Sequence, residues 1–94
     1  MNIIELTFDK TITGLAGNPY GYKEYLNQVD EKFNWTGKNK IVFPSHIEKV
    51  GISFIQGFSK EILKKISKSE VEKYIIIESA TKELTKKIMD NIKF

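Results

Sequence analysis

Strand-like and helix-like patterns of apolar residues alternate along the chain. Ile4, Leu6 and Phe8 are separated by polar residues, which is the period-two pattern of a half-buried strand. Residues 41–43 form a short apolar run that ends before a proline, and residues 74–77 are apolar without alternation. The second of these runs is typical of a strand that is covered on both faces. The pattern therefore predicts three strands in these places.

Three amphipathic helices are predicted between and after these strands. Asn18 followed by Pro19 is a favourable N-cap and first-turn pair, so the first helix is expected to start there. The second helix begins at Ile52, and Ser79 caps the third. The apolar residues expected to face the core are Tyr22, Tyr25, Leu26, Val29 and Phe33 in the first helix; Ile52, Ile55, Ile62, Leu63 and Ile66 in the second; and Ala80, Leu84, Ile88, Met89 and Ile92 in the third. Phe54 and Phe58 are expected on adjoining faces of the second helix.

The order of these elements indicates the fold class. A β-α-β-α-β-α order is typical of an α/β sandwich in which a mostly parallel, mixed sheet has helices packed against it. Its crossover connections are expected to be right-handed. No repeat, linker or low-complexity tract interrupts the 94 residues, and this length suits one small domain. We therefore expect a single α/β domain over residues 1–94.

Composition excludes several classes of protein. Hydrophobic residues make up 40% of the chain and aromatic residues 12%, which is enough for a core and argues against disorder. No apolar run approaches the ~20 residues that cross a bilayer, and Asn2, Glu5 and Asp9 interrupt the stretch that a signal peptide would need. Cysteine is absent, which excludes disulfides, thiolate zinc sites and cysteine nucleophiles. The expected location is the cytoplasm.

The cationic side chains are all lysines. Fifteen lysines and twelve acidic residues leave a net charge of +3, and arginine is absent. Because arginine supplies the bidentate fork that reads phosphate and guanine, base-specific DNA recognition is not expected. The alternative function of a nucleic-acid accessory protein would need a basic face, and the last two predicted helices carry the lysines for one. Its residues would be Lys60, Lys64, Lys65, Lys68, Lys82, Lys86 and Lys87.

The single histidine gives little support to catalysis. His46 lies beside Ser45 and two residues before Glu48. A hydrolytic triad needs a nucleophile, a base and an acid that converge in space, and one neighbouring Ser-His pair is weak evidence for that. One histidine with scattered carboxylates also lacks any metal-ligand spacing. The sequence therefore predicts no catalytic residues, no metal site and no cofactor.

A glycine-rich passage before the first helix has two interpretations. Gly17, Asn18, Tyr20 and Gly21 surround Pro19, but they lack the spacing of a phosphate-binding loop, and the proline removes one N–H donor. A helix N-terminus that follows glycines can nevertheless hold an anion. These four residues form either a backbone turn or a loop that binds an anion or another ligand.

Two short motifs lie at the entries to the first and second helices. Their residues are Gly17, Asn18, Pro19, Tyr20, Gly21, Glu24 and Leu26 at the first helix, and Ile47, Val50, Ser53 and Phe54 at the second. Over residues 14–67, the chain resembles the STAS-like domains of unknown function that are found in bacteria and their mobile elements. That family has a spaced-glycine entry to its first helix, and a strand, a short loop and a Ser-Phe pair that lead into the next helix. The resemblance implies a STAS fold related to anti-sigma factor antagonists.

The same resemblance implies a role for one serine. In anti-sigma factor antagonists, a partner kinase phosphorylates a serine at the start of this helix, and the charge switches partner binding. Ser53 is the residue at the matching position. The chain departs from the family in having Phe43-Pro44 in place of Asp-Phe, and Gln56 where acidic residues usually follow. The alternative interpretation of Ser53 is a plain N-cap of the helix.

These observations predict a regulatory protein-binding module and not an enzyme. Its surface is expected to combine the loop at residues 45–51, in which Ile47 and Val50 point inward, with the start of the second helix. The surface residues are Ser45, His46, Glu48, Lys49, Ser53 and Gln56. The expected partner is a protein, either a kinase-like ATPase or a component of a defence or mobile-element system. The alternatives are a phage- or plasmid-encoded inhibitor that occludes a host defence enzyme by protein contact, and the nucleic-acid accessory protein; a homodimer is left open.

Overall fold

Residues 1–93 are described by a computed structural model, in which five short strands form two separate sheets. The strands are β1 (Asn2–Glu5), β2 (Gly14–Leu15), β3 (Asn39–Val42), β4 (Lys49–Val50) and β5 (Ile75–Glu78). One sheet has the order β1-β3-β5, and the other pairs β2 with β4. All of these pairings are parallel, which confirms the α/β class. Within residues 1–93 there is no antiparallel pair of the kind that the predicted mixed sheet includes.

Helical segments follow the strands in the predicted alternation, with one break. They are α1 (Asn18–Gln28), α2 (Ile52–Ser59), α3 (Ile62–Lys65), a 3-10 turn (Lys68–Glu70), α4 (Val71–Tyr74) and α5 (Lys82–Lys93). The continuous second helix predicted from Ile52 to Ile66 is wrong, because α2 ends at Ser59. The Ser59 hydroxyl donates a hydrogen bond to the carbonyl oxygen of Ile55 at 2.8 Å, a bond that disturbs helices.

The two faces of the larger sheet are covered unequally. Because β1, β3 and β5 cross the sheet in chain order, right-handed crossovers place α1 and the α2–α4 segment on the same face. Ile4 and Ile77 point to that face and are 1% and 6% exposed. On the opposite face, Ile3 is 59% exposed and Ile76 is only half-buried. The prediction that residues 74–77 are covered on both faces is therefore confirmed for the face of Ile77 and only in part for that of Ile76.

A glycine from each helix allows α1 and α2 to pack closely. A Cβ atom at Gly21 would lie 2.0 Å from the carbonyl oxygen of Phe54, and one at Gly57 would lie 2.0 Å from that of Asn18. Only glycine fits distances this short. The rings of Phe54 and Phe58 stack beneath this contact with their centroids 5.9 Å apart.

The glycine contact determines which sides of α1 and α2 are buried. Gly21 and Tyr25 of α1 are buried. Tyr22 is only half-buried, and Leu26 is 43% exposed, so their predicted core positions are wrong. Ile52 was also expected in the core but is 52% exposed in the first turn of α2. The close approach of the two backbones fixes the rotation of each helix about its own axis. The pattern of apolar residues along the sequence contains no information about that contact.

The start of α5 also differs from the prediction. Thr81, and not Ser79, caps the helix, because its hydroxyl oxygen accepts a hydrogen bond from the Leu84 amide at 3.0 Å. The Ser79 hydroxyl lies 2.6 Å from that of Thr85. Ala80 precedes the helix and is exposed, so its predicted place in the core is wrong. The buried residues of α5 are Leu84, Ile88 and Ile92, as predicted.

One buried asparagine joins the sheet to the turns around it. Asn39 begins β3 and has no exposed surface. Its Oδ1 accepts hydrogen bonds from the Asn2 side chain at 2.8 Å and from the Asn34 amide at 2.7 Å. Its Nδ2 donates to the carbonyl oxygens of Asn34 and Tyr74, at 2.8 and 3.1 Å. Two distant parts of the chain, at Asn2 and Tyr74, and the neighbouring turn at Asn34 therefore satisfy this buried side chain.

Candidate functional site

The loop before α2 is held against the segment that leads into β2. The backbone amides of Glu48 and Lys49 both donate to the carbonyl oxygen of Thr13, at 2.7 and 3.2 Å. Ile47 and Val50 are fully buried, as predicted. The loop also contains β4, which is too short to leave a pattern in the sequence. Its exposed side chains are Ser45, Glu48 and Lys49.

Ser53 lies in the first turn of α2 and has no capping role. Gly51 is the N-cap, with φ −72° and ψ 151°, and no side chain caps the helix. The Ser53 side chain is exposed, and no hydrogen bond joins it to the rest of residues 1–93. The interpretation of Ser53 as a plain N-cap is therefore wrong.

Two further exposed side chains lie around Ser53. Spacings of three and four residues place Gln56 beside both Ser53 and Ile52 on the helix surface. Ile52 is 52% exposed, and Gln56 is exposed as well. Phe54 and Ile55 are buried beneath them. The first turn of α2 therefore presents an apolar, a hydroxyl and an amide side chain on a well-packed support.

The start of α2 favours negative charge. The first N–H groups of a helix lack intrahelical partners, and the helix dipole places partial positive charge there. In α2, no side chain caps these groups, and the first turn contains no acidic residue. A negative group attached at Ser53 would interact favourably with this end of the helix.

Substitutions at Ser53 test this assignment. Ser53→Asp should raise the free energy of unfolding by about 0.5 kcal/mol, because the carboxylate would face the helix N-terminus. Ser53→Ala should change it by less than about 0.5 kcal/mol, because the hydroxyl caps nothing. The matched control is Thr81→Ala, which removes the true cap of α5 and should cost about 1 kcal/mol. Urea denaturation measures all three; a loss in Ser53→Ala as large as that in Thr81→Ala would show that Ser53 is a cap.

His46 contacts a neighbouring turn and so holds the loop at residues 45–51 against it. Its Nδ1 atom lies 2.9 Å from the carbonyl oxygen of Ile12, so a proton on Nδ1 is donated to the backbone. In the described part of the chain, no hydrogen bond links His46 to Ser45 or Glu48, and both of those residues are exposed. The structure therefore does not assemble these three residues into a triad.

The turn that His46 contacts is stabilised by its own hydrogen bonds. Asp9 Oδ1 accepts one from the Thr11 amide at 2.8 Å and one from the Thr11 hydroxyl at 2.6 Å. These bonds favour the ionised carboxylate and lower the pKa of Asp9. The result is an Asx turn that presents the carbonyl group of Ile12 to the histidine.

Backbone geometry and packing account for most of the glycine passage before α1. Gly17 has φ 99°, a conformation that favours glycine, and it is the N-cap, so the predicted cap at Asn18 is wrong. Gly21 makes the close contact with α2 described above. Tyr20 packs edge-on against Phe54 with centroids 5.3 Å apart, and burial raises the pKa of its hydroxyl. These are the features of a backbone turn; Asn18 is exposed.

The lysines of the expected basic face make local contacts. Lys65 lies over the Trp35 ring at 4.6 Å, and Lys64 pairs with Glu61 at 2.9 Å. Similar contacts join Lys60 to the Tyr22 ring at 5.2 Å and Lys86 to Asp90 at 2.6 Å. Acidic and aromatic partners therefore interrupt the lysine stripe, which is the pattern of a solvated face.

A groove of about 670 Å³ lies between β5 and α5, where sequence analysis had indicated no site. Ile76 and Met89 line its apolar part, and charged residues line its rim. The ion pairs on the rim are Lys40–Glu78, Lys86–Asp90 and Lys93–Glu72, at 2.7, 2.6 and 2.5 Å. Its lining comes from β3, β5 and α5 together, so the groove forms only in the tertiary structure and local patterns do not indicate it.

Neither a metal centre nor a membrane span is evident in residues 1–93. No three or more histidine and carboxylate side chains lie close enough there to hold a metal ion. The helices of the same residues are all too short or too polar to cross a bilayer.

No protein-family model, curated protein or solved structure matches the chain.

Proposed function

We propose that this chain is a non-enzymatic regulatory module that binds another protein through the surface around Ser53. The residues of this docking surface are Ser45, Glu48, Lys49, Ile52, Ser53 and Gln56, all of them exposed. His46 supports it from the side through its contact with Ile12. The partner that we propose is a kinase-like ATPase.

One observation carries the proposal. A serine at the start of a helix usually caps it, yet the Ser53 hydroxyl is exposed and makes no hydrogen bond within the described residues. Beside it, Ile52 leaves about half of its surface in water. A hydroxyl without a hydrogen bond, next to an exposed apolar side chain on a well-packed turn, contributes little to the stability of the fold. Such a pair is better suited to recognition by another protein.

A STAS-like fold is part of the same proposal. The burial of the residues that carry the resemblance supports this part of the proposal: Ile47, Val50 and Phe54 are fully buried, and Ser53 is exposed. The parallel sheet of β1, β3 and β5 is compatible with such a fold. The Phe43-Pro44 and Gln56 departures mean that partner recognition differs from that of typical antagonists.

Phosphorylation of Ser53 would switch this surface. The kinase would transfer the γ-phosphoryl group of ATP to the Ser53 oxygen, releasing ADP, and its own base would take the hydroxyl proton. The phosphate adds about −1.5 to −2 charge at neutral pH, which the start of α2 accommodates without unfolding. Because Ile52 is adjacent, the charge would oppose burial of this surface against the kinase, and the complex would dissociate.

A photo-crosslinking experiment in the producing cells tests the proposal. A photoreactive residue at Gln56 should crosslink to a protein with a kinase-like ATPase domain, identified by mass spectrometry. Ser53→Asp should reduce the yield about tenfold, which corresponds to one unfavourable buried charge. Phosphosite mapping of the same samples should find phosphate on Ser53.

Two controls make the result decisive. A photoreactive residue at Asn27, exposed on α1, should give no such crosslink. Ser59 should carry no phosphate, because it is 1% exposed and its hydroxyl is bound to Ile55. Equal crosslinking from Gln56 and Asn27, or no partner at either, would refute the docking surface. Crosslinking at Gln56 without phosphate on Ser53 under any growth condition would refute the switch alone.

A further inference from the structure

The outer edge of β1 has backbone groups without partners. The Leu6 amide donates toward β3, to the carbonyl oxygen of Val42 at 2.9 Å. Because backbone groups alternate in direction along a strand, those of Ile3 and Glu5 point away from β3. No hydrogen bond reaches the outward N–H or C=O groups of these two residues in the part of the chain that the structure describes. β1 is therefore an open edge over a short stretch.

A side chain closes this edge at the next outward position. The Thr7 amide donates to Gln28 Oε1 at 2.7 Å, and Gln28 Nε2 donates to the Thr7 carbonyl oxygen at 2.9 Å. The glutamine amide thus binds the edge as a neighbouring strand would. The part left open carries exposed apolar surface, since Met1 is 73% and Ile3 is 59% exposed.

We propose that a second copy of this chain pairs with the open edge, β1 against β1 in antiparallel orientation. The two three-stranded sheets would then join into one of six strands. In the register that we propose, Ile3 of each copy lies opposite Glu5 of the other, and Ile4 lies on the two-fold axis. Each opposed pair exchanges both N–H···O=C bonds, so every unpaired backbone group of Ile3 and Glu5 gains a partner.

Symmetry and charge favour a second copy over an unrelated strand. A two-fold interface requires a patch that is complementary to itself. Ile3 lies beside Lys40 in the β1–β3 register, so the proposed pairing places each Ile3 between Lys40 of its own sheet and Glu5 of the other copy. Opposite charges then flank each isoleucine. Pairing also removes an exposed edge strand, which is otherwise a route to aggregation.

Charge variants at position 3 test the dimer and its register by sedimentation equilibrium. The contact is short, well below a standard interface, so the wild type should be a weak dimer that forms between micromolar and millimolar concentration. Ile3→Glu should weaken dimerisation about tenfold or more, because two like-charged pairs with Glu5 form across the strands. Ile3→Lys should retain or strengthen it, because the same positions then hold opposite charges. Both variants lose the exposed Ile3 side chain, so a difference between them reports the sign of the introduced charge.

Two further measurements separate this edge from the rest of the surface. Ile52→Glu removes a similarly exposed isoleucine near Ser53 and should leave the dimer unchanged. In hydrogen exchange, the Ile3 and Glu5 amides should become protected as concentration rises, whereas the Leu6 amide should be protected throughout. A chain that stays monomeric at millimolar concentration, or equal loss of dimer in Ile3→Glu and Ile3→Lys, would overturn the proposal.

Discussion

Gly57→Ala should lower the free energy of unfolding by about 3 kcal/mol, because the new methyl group has no space. A Cβ atom at this position would lie 2.0 Å from the carbonyl oxygen of Asn18, far inside van der Waals contact. That oxygen belongs to the backbone of α1 and has no rotamer with which to move aside. The helices would have to separate, which loosens the packing of Phe54 and Phe58 beneath them. Alanine's advantage in helix propensity, about 1 kcal/mol, offsets only part of this cost.

Urea denaturation followed by circular dichroism measures the loss, and the chain offers a matched control. A Cβ atom at Gly14 would lie 3.8 Å from its nearest neighbour, an ordinary contact. Gly14→Ala should therefore change the free energy of unfolding by less than about 1 kcal/mol. Gly21→Ala should repeat the large loss, because its Cβ would lie 2.0 Å from the Phe54 carbonyl oxygen. Wild-type stability in Gly57→Ala would mean that α1 and α2 do not approach through their glycines.

Asn39→Ala should also cost about 3 kcal/mol, for a different reason, since it removes a buried side chain and leaves several part-buried polar groups unpaired. The Asn34 amide would lose its acceptor, and the carbonyl groups of Asn34 and Tyr74 would lose a donor. Asn39 has no exposed surface, so water does not replace these bonds without a rearrangement. The turn at residues 34–37 and the N-terminal ends of β1, β3 and β5 should loosen together.

An exposed asparagine provides the comparison. Asn27 lies on the surface of α1, and Asn27→Ala should change the free energy of unfolding by less than about 0.5 kcal/mol. Hydrogen exchange should show faster exchange for amides near Asn34 and Tyr74 in Asn39→Ala, and no such change in Asn27→Ala. If Asn39→Ala were as stable as Asn27→Ala, the hydrogen bonds of this side chain would contribute nothing to the fold.

Gly57→Ala and Asn39→Ala should affect the docking surface differently. Gly57 lies on α2, the helix that carries Ile52, Ser53 and Gln56, so its substitution should disturb binding as well as stability. Asn39 lies at the N-terminal end of β3, away from the loop that enters α2. A residual folded population of Asn39→Ala should therefore retain the docking surface. Crosslinking from position 56 in both variants distinguishes the two effects.

Strong local periodicity made the main elements predictable. The alternation at Ile4, Leu6 and Phe8 indicates β1, although the strand runs from Asn2 to Glu5 and ends before Leu6. The apolar run at residues 74–77 indicates β5 within one residue. β2 and β4 have two residues each, too few to show a period. The break after α2 also escaped prediction, because Ile62 and Ile66 continue the apolar spacing and the intervening Lys60 and Glu61 keep right-handed helical dihedrals.

The candidate site was predictable in part. The burial of Ile47 and Val50 and the position of Ser53 near a helix start agree with the sequence analysis. The sequence analysis placed the start of the second helix at Ile52, and the structure confirms it, with Gly51 as the N-cap. Ser53 is therefore the second helical residue, and its interpretation as a plain N-cap would have needed a later helix start.

The amino-acid sequence by itself determined the α/β class, the order of the main elements and the inward residues of the loop before α2. These properties depend on neighbours within a few positions, and apolar periodicity records them directly. Only the tertiary structure decided the bonds of Asn39 to residues 2 and 74, the glycine contact between α1 and α2, the groove between β5 and α5, and the open edge of the sheet. Each of these features forms where segments that are distant in sequence contact each other. The free energy of such a contact depends on both segments, whereas a local pattern of residues describes only one of them.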